Sequence, residues 1–176
     1  MSIELSALLE SDGRQKTWEW TPGFTTVEIA GECFPVTADG PVTVTVLNAG
    51  QKVLDITASG NFTAVIPCAR CLDPVKVPLS AEAFREADTK LSTEEREKQE
   101  EPMDYLDGTK LDADVLLKDA LLTAWPIRVL CKEDCKGLCS HCGANLNHTT
   151  CDCGEETYDP RMAAILDIFN KRDEEV

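Results

Sequence analysis

Six of the nine cysteines in this 176-residue chain fall between Cys131 and Cys153. A cluster that dense restricts the fold more than any hydrophobic pattern, because the thiols must end up close together and something must hold them there. Disulfides persist in oxidising compartments. The start, Met1-Ser2-Ile3-Glu4-Leu5, has no basic stretch, and Glu10 and Asp12 closely follow the short apolar run Ala7-Leu8-Leu9. That pattern argues against a signal peptide and predicts a cytoplasmic protein. In a reducing compartment, grouped thiols point to metal or redox chemistry.

Within the cluster, Cys139-Ser140-His141-Cys142-Gly143 has the two-residue spacing and trailing glycine of a knuckle, a tight turn that aims two sulfurs at one metal. Zinc takes four thiolate or imidazole ligands in a tetrahedron. Cys151 and Cys153 complete a four-cysteine site across the 144–150 loop, so the expected zinc ligands are Cys139, Cys142, Cys151 and Cys153. Cys131 and Cys135 compete for the second pair. Cys68-Ala69-Arg70-Cys71 has knuckle spacing too, so a second site including Cys68 and Cys71 is an alternative, as are two packed thiols at a strand end. A redox pair is disfavoured there, because the motif follows a strand and precedes Pro74 rather than opening a helix. Cys33, left over, is expected in the core. His141 and His148 are expected to be bystanders beside sufficient thiols.

The predicted fold class is α+β. An antiparallel β-sheet or partly open barrel fills the N-terminal half, and two C-terminal helices flank a small Cys-rich zinc-binding segment. Thr25–Ile29 and Val42–Val46 alternate at the strand period. Val53–Ala58 and Phe62–Ile66 read as two strands joined by a turn at Ser59-Gly60-Asn61. Val75–Phe84 reads as another strand, at an edge because of Pro74 and Pro78. The stretch 88–110 reads as an acidic linker, and 91–101 is almost wholly polar. Leu111–Ala124 has a broad apolar face and stops at Pro126, predicting a buried helix. A second helix is predicted from Asp159-Pro160, with Met162, Ile165, Leu166 and Phe169 in one stripe. The expected organisation is therefore a β-rich region (1–87), the linker (88–110) and a helical region (111–176) with the zinc-binding segment at 131–153, all in one compact unit.

Function classes narrow from what the chain does not carry. No apolar run reaches the roughly 20 residues needed to cross a bilayer. No phosphate-binding glycine loop, Ser/His/Asp set or HExxH appears, and the two histidines sit among the cysteines. The expectation is a non-enzymatic protein with no small-molecule substrate and no membrane. A net charge of −15 disfavours non-specific nucleic-acid binding and favours a basic protein partner.

Cys68-Ala69-Arg70-Cys71-Leu72, Ala124-Trp125-Pro126, the run Cys131 to Cys139, Cys142-Gly143-Ala144-Asn145-Leu146-Asn147 and Asp159-Pro160-Arg161 occur here in order. In these motifs the chain resembles the YceD family, named for accumulation of large-subunit ribosomal RNA. The resemblance implies a role in large ribosomal subunit biogenesis, supporting 23S rRNA accumulation, with no catalysis. Its implied partner is the pre-ribosomal large-subunit particle, met through 23S rRNA or a basic ribosomal protein. Some family members lack the C-terminal cysteines, which implies that zinc stabilises this segment. Arg128, Lys132 and Lys136 are the candidate contacts to RNA or partner, diluted by Glu133 and Asp134. The alternative function is a redox-sensitive zinc protein or chaperone that releases metal on thiol oxidation.

Overall fold

Side chains that alternate between apolar and polar build most of the first ninety residues into antiparallel sheet. The computed structural model describes residues 1–90 and 104–153. In chain order the elements are β1 (Ser2–Glu4), α1 (Ser6–Leu9), β2 (Gln15–Trp20), β3 (Thr26–Ile29), β4 (Glu32–Ala38), β5 (Val42–Gly50), β6 (Val53–Pro67), β7 (Pro74–Asp88), β8 (Leu106–Asp107), β9 (Lys110–Asp112) and α2 (Ala113–Ala124). Six strands form one sheet, ordered β2-β5-β6-β4-β3, with β7 also paired to β6. A small second sheet joins β1, β9 and β8.

β6 is the spine of the larger sheet. Its whole length pairs with β7, from Val53↔Asp88 to Pro67↔Pro74. Its other edge is shared between β5, over Val53 to Ser59, and β4, over Phe62 to Ala64. The turn expected at Ser59-Gly60-Asn61 does not form, and the two expected strands are one. Leu54, Ile56 and Ala58 face the core, as do Phe62, Ala64 and Ile66, so the two-residue period runs through Gly60 without a slip. A hairpin would have broken that parity. Gly60 is there for space: a Cβ at this position would lie 2.4 Å from Val42 Cγ1.

β7 pairs only with β6 among the described residues, so Pro74 and Pro78 do sit on an edge strand. The inward residues Val42, Val44 and Val46 of β5 stack on Leu54 and Ile56 of β6, and α2 covers the sheet from one side with Leu116, Leu117, Ala120 and Leu121. Burying each leucine contributes roughly 1.5–3 kcal/mol. The helix starts two residues later than its apolar pattern suggests. Asp112 caps it by accepting from the Asp114 and Val115 amides, which leaves Leu111 in β9. Trp125 is extended, at φ −67° and ψ 129°, as the residue before Pro126 should be.

Among the described residues one polar side chain is wholly inside. Asn48 donates to the Leu8 and Ser11 carbonyls and accepts from the Gly50 amide, so its burial leaves no polar atom without a partner. At the end of the segment expected as linker, β8 pairs with β9, which begins at Lys110 and itself pairs with β1. The polar stretch 91–101 and the helix expected from Asp159 lie outside the described residues. No described helix is long and apolar enough to cross a membrane.

Candidate metal centres

The far end of the β6–β7 ribbon carries the first group of thiols. β6 ends at Pro67 and β7 begins at Pro74, so Cys68 and Cys71 lie in the connecting turn. The turn is closed by Cys68 N–H donating to Asp73 O at 2.8 Å and by Leu72 N–H donating to Cys68 O at 3.0 Å. Leu72 takes φ 65°, the left-handed conformation that glycine usually supplies after a knuckle. After α2 the chain returns to this turn. Ala69 N–H donates to Val129 O at 2.8 Å, and Leu138 N–H donates to Arg70 O at 3.2 Å. The Arg70 guanidinium donates to Cys135 O at 2.9 Å. Gly137, at φ 79°, lets the two backbones meet: a Cβ there would come within 3.3 Å of Arg70 O.

These contacts bring Cys131 and Cys135 to Cys68 and Cys71. The Cys68 and Cys135 sulfurs are 3.8 Å apart, and those of Cys71 and Cys131 are 3.5 Å apart. Cys68, Cys71 and Cys135 are buried, together with the partly buried Val75 and Leu130, while Cys131 is exposed. The second group is Cys139, Cys142, Cys151 and Cys153. Its knuckle is closed by Gly143 N–H to Cys139 O at 2.9 Å, with Gly143 at φ 73°, and by Cys139 N–H to Ala144 O at 2.8 Å. Cys139 and Cys151 are partly exposed, and Cys142 and Cys153 are open to solvent.

Within each group all four sulfurs lie within 4.8 Å of one another, and all nine thiols are free. A tetrahedron of sulfurs about zinc, with ~2.3 Å bonds, has edges of about 3.8 Å. The donor set and the two closest pairs fit that geometry. Electrostatics argue the same way. Burial opposes the Cys68 thiolate, but the amides of Arg70, Cys71 and Cys131 prevail and bring its pKa down to about 6. Burial and the neighbouring sulfurs push Cys71 far up. In the second group the Cys142 and His141 amides lower Cys139 to about 6, while the Cys142 side chain and burial raise Cys153 to about 12. Some thiols in each group ionise easily and their neighbours resist, because thiolates this close repel. A divalent cation at the centre removes that conflict.

The competition left open by spacing has a geometric outcome. Cys131 and Cys135 join Cys68 and Cys71, and Cys151 and Cys153 join the Cys139–Cys142 knuckle. Cys33 is not a core residue: it is exposed on β4, opposite Glu28 of β3. Neither histidine belongs to a thiol group. His148 instead lies 2.9 Å from the Asp73 carboxylate, through Nε2. Arg128, Lys132 and Lys136 are all exposed, and Lys136 borders an open hollow of about 530 Å³ lined by Asn147, His148, Thr149 and Thr150.

Sequence reasoning missed the residues that brace the sulfurs. Asn147 Nδ2 donates to Cys135 Sγ at 3.3 Å, and its Oδ1 accepts from the Lys136 amide at 3.0 Å. Asn145 Nδ2 donates to Asp73 Oδ1 at 3.0 Å, and Asp73 Oδ2 lies 3.4 Å from Cys71 Sγ. Three groups thus converge on Asp73, and the His148 hydrogen bond is the foremost cause that keeps its carboxyl below the usual carboxylate range.

The pattern of the family described as "Large ribosomal RNA subunit accumulation protein YceD" matches residues 56–169, a span that contains most of β6, all of β7 and α2, and both thiol groups. The chain belongs to the YceD family. Among relatives, an Arabidopsis thaliana protein named "Large ribosomal RNA subunit accumulation protein YCED homolog 1, chloroplastic" is 40% identical over 50 residues, 28% of this chain and 16% of that protein. An uncharacterised Mycobacterium tuberculosis protein is 30% identical over 121 residues, 65% of this chain and 55% of that one. An uncharacterised Mycobacterium leprae protein is 34% identical over 99 residues, 52% of this chain and 43% of its own length. This YceD-family chain therefore matches about half the length of the mycobacterial relatives and a far smaller share of the plant protein. No solved structure matches it.

Proposed function

We propose that this chain is a non-enzymatic factor in biogenesis of the large ribosomal subunit, supporting 23S rRNA accumulation in the cytoplasm, with zinc held by its C-terminal cysteines. The observation that carries this reading is the family match over residues 56–169, which takes in β6 from Ile56 onward, all of β7 and the cysteine-rich segment. Zinc is favoured by eight soft thiolate donors arranged in fours at tetrahedral spacing. The expected ligands Cys139, Cys142, Cys151 and Cys153 supply the site nearer the C-terminus.

The partner is the pre-ribosomal large-subunit particle. The net charge of −15 favours a basic ribosomal protein as the direct contact. Arg128, Lys132 and Lys136 are the positions offered to RNA, and they also offset the negative charge of thiolate-bound metal nearby. A clean deletion followed by gradient profiling tests the role. It is expected to lower 50S subunits and 23S rRNA, and normal levels of both would overturn it.

The alternative, a redox-sensitive zinc protein that releases its metal, draws on the solvent exposure of Cys142 and Cys153. It requires zinc release under mild peroxide. Metal that stays bound while the thiols resist oxidation removes this reading and leaves the ribosomal one untouched.

A further inference from the structure

We infer that the chain holds two metal ions of different character: an inner ion on Cys68, Cys71, Cys131 and Cys135 that permanently clasps the cysteine-rich segment to the β6–β7 turn, and an outer, exchangeable ion on Cys139, Cys142, Cys151 and Cys153. This inference rests on the thiolate–zinc part of the proposed function and is independent of the ribosomal part.

The inner ligands come from two stretches of chain some sixty residues apart, so an ion there fastens one part of the fold to another. The outer ligands all lie between residues 139 and 153, so an ion there closes only its own loop. Burial differs in the same direction. Cys68 is 0% exposed, and Cys71 and Cys135 are each 3% exposed. A chelator reaches them only after the turn opens. That opening must break the Ala69–Val129 and Leu138–Arg70 backbone bonds, the Arg70–Cys135 bond and the Asn145–Asp73 bond. The outer group presents two sulfurs, Cys142 and Cys153, directly to solvent. Ligand attack there needs no such opening.

Second-sphere bonds separate the two groups further. Asn145 and His148 fix the Asp73 carboxylate in the turn beside Cys71, and the Cys135 sulfur accepts directly from the Asn147 side chain. Partners of this kind orient ligands and strengthen metal sites. Around the outer sulfurs the bonds come from the knuckle backbone itself: Gly143 donates to Cys139 O, Cys139 to Ala144 O, and the Cys142 and His141 amides to the Cys139 sulfur.

The test is zinc counting and release on the reduced, full-length chain. Elemental analysis should find two zinc ions per chain. A colorimetric chelator in excess should draw one quickly and the other about tenfold or more slowly. Cys131→Ser, at an exposed position that leaves no void in the core, should abolish the slow phase. Cys153→Ser should abolish the fast phase alone. Asn147→Ala should weaken the slow ion by about tenfold or more. A wild-type count of one or none, both ions leaving at one rate, or a slow phase that survives Cys131→Ser would each overturn the inference. The wild-type count and release curve decide it even where a variant fails to fold. A single zinc would still leave the ribosomal role to its own deletion test.

Discussion

The two halves of this molecule are held together by different physics. In the sheet, Val42, Val44, Val46, Leu54, Ile56 and Phe62 are at most 1% exposed, and α2 adds Leu116, Leu117 and Leu121 to the same core. Between residues 125 and 153 the buried positions are Cys135 and Gly137. Ordering a backbone residue costs roughly 1–2 kcal/mol. Apolar burial offsets that cost throughout the sheet. The cysteine-rich segment has almost none to offer, and its order comes from hydrogen bonds and, with the proposed ions bound, from metal–sulfur bonds. A segment poor in apolar side chains can be fixed in place when its donors are thiolates and their geometry suits a cation.

The sharpest way to break this comparison is to strip the two proposed ions from the reduced protein with a strong chelator or mild acid. Thiolates must be deprotonated to bind, so acid releases metal as chelation does. Amide hydrogen exchange should show protection collapse across residues 129–153 while β5, β6 and β7 stay protected. Simultaneous loss of protection in the sheet would mean that the metal, and not the aliphatic core, holds both halves. The reverse experiment is Leu117→Ala. Removing a fully buried side chain should cost about 2–5 kcal/mol in denaturant unfolding and leave the metal count unchanged. A loss of zinc in that variant would show that the halves are not separable.

Gly60→Ala should cost less, about 1–3 kcal/mol, because the added methyl would sit 2.4 Å from Val42 Cγ1 and force β5 and β6 apart. Unchanged thermal stability would place the β5–β6 packing elsewhere. The smallest effect is expected in the turn that joins the halves. Leu72→Gly relieves a left-handed leucine at φ 65° and 63% exposure, where little packing is lost. The strain relieved slightly exceeds the flexibility gained by the unfolded chain, for a net gain of about 0.5 kcal/mol. A clear loss of stability would mean that the Leu72 side chain packs on something in solution.

Much of the sheet was legible because the two-residue period is a local signal. Val42–Val46 alternates in the sequence and in the structure, and Pro74 and Pro78 mark an edge strand for lack of an amide to donate. At Ser59-Gly60-Asn61 turn composition and strand parity disagree, and parity prevails. From Leu54 to Ile66 the buried apolar residues stay on even numbers straight through Gly60, with Val65 the one apolar residue out of step. Cys33 was misplaced for a different reason. Cysteine packs readily, but its position at the exposed face of the β3–β4 hairpin depends on which side of that pair meets the core. Asp73, Asn145 and Asn147 carried no visible signal, since nothing in their spacing says which sulfur or carboxylate they will face.

By itself the sequence determined the chemistry: a soft-donor cluster in the last third, antiparallel strands ahead of it, and a buried helix between. Only the tertiary structure decided how the thiols divide. Knuckle spacing describes two residues on one turn, and it holds equally for Cys68–Cys71 and Cys139–Cys142. Which pair completes each set depends on where the β6–β7 ribbon ends relative to the chain leaving α2, a distance in space that spacing along the chain does not encode.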